Sequence, residues 1–159
     1  MNVLGFLKDK LKGKSSVEAP TKDEMVNNLI HYTCSRVCYG VKDQAGICCT
    51  IGERDWIIGP ITDADRFLKD VSKKLGREFT FDEIFYSYEE GRKIFPERST
   101  WQDPNNYPAL RVVLDGKAYP CQFLSDDKKC TMQDIKPKIC SDYLCDYLKK
   151  SIATLEERL

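Results

Sequence analysis

"CSRVCYGVKDQAGICC", residues 34–49, packs four of the chain's eight cysteines into sixteen positions, and "CQFLSDDKKCTMQDIKPKICSDYLC", residues 121–145, holds the other four. Residues 1–33 and 50–120 contain none. The first quartet is Cys34, Cys38, Cys48 and Cys49; the second is Cys121, Cys130, Cys140 and Cys145. Thiols gathered at two poles of a chain need a reason to meet, and that reason decides what organises the fold.

Compartment narrows the reason. The opening "MNVLGFLKDKLKGK" lacks the apolar run and small-residue cleavage site of a secretory signal, and no stretch reaches the roughly 20 apolar residues of a membrane span. A cytoplasmic protein is therefore expected, and thiols there are kept reduced, so eight of them point to metal rather than disulfides. The chain has 159 residues, 42% of them hydrophobic, which suits one globular domain. Twenty-five basic residues balance twenty-five acidic ones, so charge gives no ground for nucleic acid or a membrane surface as partner.

Residues 1–20 read as an amphipathic arm and linker, and 21–159 as a single domain. Val3, Leu4, Leu7 and Leu11 recur at helical spacing in the arm, before the breaker-rich "GKSSVEAP", and the alternatives for residues 1–14 are docking on a partner, grazing a membrane, or a frayed or self-packed terminus. Three helix starts carry a threonine with an acid three positions on: Thr21 with Glu24, Thr62 with Asp65, and Thr80 with Glu83. After Thr62, the residues Ala64, Phe67, Leu68, Val71 and Leu75 keep the helical period and Gly76 supplies the stop. Beyond Thr80, Phe81, Ile84, Phe85 and Tyr88 repeat it. Residues 95–108 read as a long covering loop with Trp101 tucked inward. "ALRVVLDGKAYPCQFL" has two apolar runs around Asp115-Gly116, the signal of a hairpin, with Cys121 on or just after its second strand. A closing helix is expected to about residue 157, from Tyr143, Leu144, Tyr147, Leu148, Ile152 and Leu155.

Soft sulfur ligands favour zinc, copper(I) and iron–sulfur clusters, and four of them close a tetrahedral zinc or a cubane cluster. Eight is twice four, so two four-thiolate sites, or one site with additional thiols, are the alternatives. Neither the paired C-x2-C knuckles of zinc ribbons nor the ferredoxin C-x2-C-x2-C run is present. Cys48 and Cys49 are adjacent, so their side chains are expected to diverge toward different ligands unless Gly46 permits a turn. Arg36, Lys128, Lys129, Lys136 and Lys138 lie within the quartets as possible counter-charges. His31, the sole histidine, is a further ligand or supporting donor to weigh, although the thiols suffice without it.

A cysteine group ending in a CC pair, a helix about a dozen residues on, and C-x-F-L, an acidic turn, then C-x-M-x-x-I-x-P-x-x-C and a last cysteine resemble the YkgJ-type cysteine cluster family of zinc- or iron-chelating, eight-cysteine proteins. The resemblance spans roughly residues 31–147. It implies that all eight cysteines are ligands and that Pro137 holds the loop entering Cys140. The nine residues "YGVKDQAGI" between Cys38 and the CC pair depart from the family's shorter spacing. That family includes larger flagellin lysine N-methylases that use S-adenosylmethionine, but this chain has no glycine-rich strand-to-helix loop of the kind that commonly binds such a cofactor.

The expectation is an α+β fold: a small, mostly helical domain with one β-hairpin, organised around cysteine-bound metal. Its function is that of an iron–sulfur-binding accessory protein of a larger redox or maturation complex, holding one or two 4Fe-4S clusters, in electron transfer or metal-cofactor handling. The alternatives are a zinc-stapled interaction module without a redox role and, more distantly, a methylase-like enzyme. No catalytic residues are assigned.

Overall fold

The computed structural model describes residues 18–34 and 47–159. The arm of residues 1–14, Cys38, Arg36 and Gly46 lie outside the described residues. Helix α1 (Lys22–Tyr32) begins with a full capping box: the Glu24 N–H donates to the Thr21 hydroxyl and the Thr21 N–H to the Glu24 carboxylate. Thr33 closes it, its N–H shared between the Leu29 and Ile30 carbonyls, and is buried. Cys34 follows directly at this end of the helix.

Helix α2 (Ala64–Leu75) is the central helix, with Phe67 and Val71 buried and Gly76 ending it at φ +70°. Its cap differs from expectation: Asp63 occupies the capping position and its carboxylate serves the distant Lys138 N–H, so the anticipated Thr62–Asp65 box gives way to a tertiary contact. The helical period after Thr80 is also interrupted. Helix α3 (Phe81–Ile84) stops after one turn, strand β1 (Phe85–Tyr86) follows, and α4 (Tyr88–Ile94) restarts with the Ser87 hydroxyl as cap. Tertiary pairing overrides local period here, because Phe85 and Tyr86 are both fully buried against β2 (Ala109–Leu110).

That antiparallel pair, Phe85 opposite Leu110 and Tyr86 opposite Ala109, is the sheet, and it makes the fold α+β. The expected hairpin around Asp115-Gly116 is reduced to one bridge, Val112 with Cys121, flanked by hydrogen bonds from Val113 N–H to the Pro120 carbonyl (2.8 Å) and Gln122 N–H to the Arg111 carbonyl (3.2 Å). Its first strand is drawn into pairing with β1 as well. Residues 95–108 contain a short helix α5 (Ser99–Gln102) and a 3-10 turn (Pro104–Asn106), and Trp101 is buried as expected. Helices α6 (Lys138–Asp142) and α7 (Asp146–Glu157) close the chain.

The core joins Phe67, Phe85, Tyr86, Trp101, Ile51 and Ile61, all essentially without solvent exposure. Phe67 meets Phe85 and Phe123 edge-on at 6.2 and 5.8 Å, and Trp101 meets Phe95 at 4.8 Å. Each side chain of this size stabilises the fold by about 1.5–3 kcal/mol through burial. Among the described residues no three His, Cys, Asp or Glu side chains converge tightly enough to hold a metal ion, so organisation by metal is not what the packing displays. Apolar burial supplies the core without it, and Cys121 is a member of that core.

Candidate functional site

Seven of the eight predicted cysteines, Cys34, Cys48, Cys49, Cys121, Cys130, Cys140 and Cys145, line a single cavity of about 340 Å³. Each arrives on a different kind of support. Cys34 sits at the end of α1, Cys48 and Cys49 on a 3-10 turn (Ile47–Cys49), and Cys121 on the bridged strand. Cys130 pairs by a bridge with Leu124 across the "SDDKK" turn, in which Lys128 takes φ +64°. Cys140 lies on α6, and Cys145 is the residue preceding α7. The two quartets are thus brought to one place. Thr50 bridges Pro120 and the Cys121 N–H donates to the Cys49 carbonyl at 2.5 Å, which stitches the CC pair to the C-terminal group.

Adjacent cysteines were expected to diverge. Instead the 3-10 turn bends the backbone so that the Cys48 and Cys49 sulfurs lie 3.8 Å apart, hydrogen-bonded, on the same wall. That bond separates the pair: the Cys48 thiol is pulled below the ordinary range by its neighbour's hydrogen bond, and Cys49 is pushed up by the same bond and by burial. Burial pushes Cys121 and Cys140 each up to about 12, and raises Cys130. Cys48, Cys121 and Cys130 also raise Cys49 and Cys140 electrostatically, the mark of thiols close enough to compete for negative charge.

The remaining wall is mostly apolar, with Phe67, Leu110, Phe123 and Leu148 among its side chains, so charge inside it is less screened than in water. Lys128 and Lys136 are on the wall as well, and Lys136 lowers the thiol affinity for protons at Cys48, Cys130 and Cys140. The other anticipated cations are engaged on the surface, Lys129 with Asp127 at 3.2 Å and Lys138 with Asp142. His31 stands exposed on α1 and is not among the residues of the cavity wall.

By residue type the donor set suits a soft metal: thiols from both quartets, a largely apolar shell and two cations line one cavity, and two buried polar atoms on the wall, Trp56 Nε1 and Gln133 Oε1, lack partners among the described residues. As they stand, no three of the described thiols converge tightly enough to hold a single ion.

Sequence reasoning passed over the residues that hold the second quartet in place. The Asp63 carboxylate accepts the Lys138 N–H at 3.0 Å, and Arg66 donates to Asp63 and to the Ile135 (2.7 Å) and Lys136 (3.0 Å) carbonyls. Pro137, buried at the start of α6, has no side-chain oxygen to cap that helix, so Asp63 caps it from α2. Pro137 thus sits where the resemblance implied, on the loop entering Cys140, but the clamp is the Asp63–Arg66 pair. The sole sequence signal was an acid and a base three apart in the first turn of a strongly periodic helix. Gly59, also on the wall, approaches so closely that an added Cβ would fall 2.3 Å from the Asn106 carbonyl oxygen.

Among the described residues no helix is long and apolar enough to cross a membrane. No protein-family model matches the chain, and neither a curated protein nor a solved structure is found to match it.

Proposed function

We propose that the seven-thiol cavity is the seat of an iron–sulfur cluster and that the chain is an accessory protein of a larger redox or cofactor-maturation complex in the cytoplasm. One observation carries this reading: seven thiols line one largely apolar space of about 340 Å³, and among the described residues no three of them meet tightly enough for a single ion. A zinc ion at about 2.3 Å from four sulfurs draws them to roughly 3.8 Å from each other and leaves no such space. A cluster brings its own sulfide and fills volume, and its cysteine ligands stand farther apart. When bound, the cluster supplies one-electron chemistry. The chain's own residues hold it by thiolate ligation, keep water away with the Phe67, Phe123 and Leu148 side chains, and offset its charge with Lys128 and Lys136.

A second reading has its own observation. The Cys48–Cys49 sulfur separation of 3.8 Å equals the edge of a tetrahedral zinc–thiolate site, which favours a zinc-stapled interaction module built on that pair. The motif resemblance to the YkgJ-type cysteine cluster family is compatible with either metal. A methylase-like activity draws no support from any side-chain arrangement described above.

The deciding experiment is iron, zinc and acid-labile sulfide content, with an absorption spectrum, on protein purified without oxygen. Iron with matching sulfide and a brown chromophore is the expected result. Zinc without sulfide refutes the cluster and leaves the interaction module.

A further inference from the structure

Trp56 lies on the wall of the thiol cavity, and its indole Nε1 is buried without an acceptor among the described residues. A buried donor left unmade costs about 1–3 kcal/mol, which is why native interiors keep few of them. The rest of this residue is engaged. The Arg54 guanidinium lies 4.9 Å from its ring centroid, Tyr143 meets it edge-on at 5.8 Å, and its carbonyl accepts the Trp101 indole N–H at 2.9 Å. The chain's two tryptophans therefore differ in one respect: Trp101 has its acceptor and Trp56 does not. The Gln133 Oε1, a buried acceptor on the same wall, also lacks a partner among the described residues.

What the cavity offers such a donor is sulfur. A protonated thiol is a weak acceptor, whereas a metal-bound thiolate or a cluster sulfide carries negative charge and accepts N–H bonds well. An indole N–H on this wall is therefore placed to gain an acceptor if the thiols take up a metal or a cluster.

We infer that the Trp56 indole N–H donates to a sulfur of the loaded centre and tunes its reduction potential. This inference rests on the iron–sulfur reading of the cavity. One-electron reduction takes a four-iron, four-thiolate centre from about −2 to about −3 in charge, with no proton or atom transferred. An N–H donor at sulfur favours the more negative state, so Trp56 raises the potential.

The test loads wild-type protein and Trp56→Phe with ferric iron, sulfide and dithiothreitol under anaerobic conditions, the dithiol supplying the two electrons that bring four ferric ions to the mixed-valence four-iron centre, and titrates each with dithionite. Phenylalanine keeps an aromatic ring and removes the N–H. The expected result is unchanged iron and sulfide content with a midpoint more negative by about 59 mV, a tenfold change in a one-electron equilibrium. A loaded variant with the wild-type midpoint overturns the inference. Nitrogen-15 indole labelling of the wild type gives a second measurement that does not depend on the variant folding, since there are two indole signals to resolve. Loading is expected to displace or broaden the Trp56 signal more than that of Trp101, and an undisturbed Trp56 signal in loaded protein overturns the inference as well. Wild type that takes up no iron and sulfide overturns the proposed centre itself, a failure distinct from a loaded centre indifferent to Trp56.

Discussion

Replacing Asp63 by alanine removes the cap of α6 and the partner of Arg66 in one step, 75 residues away in sequence from the helix it serves. Loss of a side-chain cap costs about 1 kcal/mol. The Asp63–Arg66 pair is partly solvated, with Asp63 25% and Arg66 43% exposed, so its share is discounted to about 0.5–1 kcal/mol. The sum is about 2 kcal/mol. For a domain of this length that corresponds to roughly 4–8 °C in Tm. Burial by itself raises the Asp63 carboxyl, but the hydrogen bonds from Arg66 and from the Lys138 N–H outweigh it and hold the group below its ordinary value. A depressed carboxyl stabilises the fold above its unfolded-state pKa, and that contribution is lost as pH falls through the folded-state value. Thermal unfolding of wild type and Asp63→Ala at pH 7 and again near pH 2 is the assay. The gap is expected to be full at pH 7 and to narrow in acid, with Asp63→Asn, which keeps an acceptor and loses the charge, in between at pH 7. A gap under about 0.5 kcal/mol at pH 7, or one that is independent of pH, refutes the clamp.

In metal-free protein, Cys48 is expected to react with iodoacetamide ahead of Cys121 and Cys140 at pH 7, because its neighbour's hydrogen bond lowers its pKa while burial holds theirs near 12; Cys49→Ala should slow Cys48 at this pH, as read by mass spectrometry of the labelled peptides. Gly59→Ala drives a Cβ to within 2.3 Å of a backbone oxygen beside the thiol cavity and should cost about 1–3 kcal/mol in urea unfolding; a neutral result would show that the 106–109 segment yields freely. Thr21→Ala removes one half of the α1 capping box and should cost about 1 kcal/mol locally, seen as faster amide exchange in residues 22–26 with the α2 amides unchanged. Cys140→Ala is expected to lower the bound iron per chain when the variant is loaded beside wild type, and equal iron in both would exclude that thiol as a ligand.

Several elements were legible before any coordinates. The α2 helix follows from five apolar residues at one period and a glycine at the stop, a local pattern that needs no partner to be read. The α1 capping box is equally local. Trp101 was recoverable because an indole of that size is rarely left in water. Where expectation failed, two segments competed for the same chain. Phe85 and Tyr86 have a helical neighbourhood, yet extended pairing with Ala109–Leu110 buries both rings completely. The Asp115-Gly116 signal was genuine, and Gly116 does take φ +76°, but the flanking residues divide their hydrogen bonds between this turn and other segments.

For the site, composition alone singled out the cysteines, because side-chain chemistry is a property of residue type: sulfur is soft wherever it stands. Tertiary structure decided that thiols from both quartets share one cavity, that a 3-10 turn converges the CC pair, and that Asp63 and Arg66 brace the loop before Cys140. Those facts depend on which backbone carbonyls and N–H groups are left over once helices and strands have formed. Such leftovers are satisfied by whatever the fold brings near, at sequence separations of about 70 residues, and no local pattern encodes that proximity.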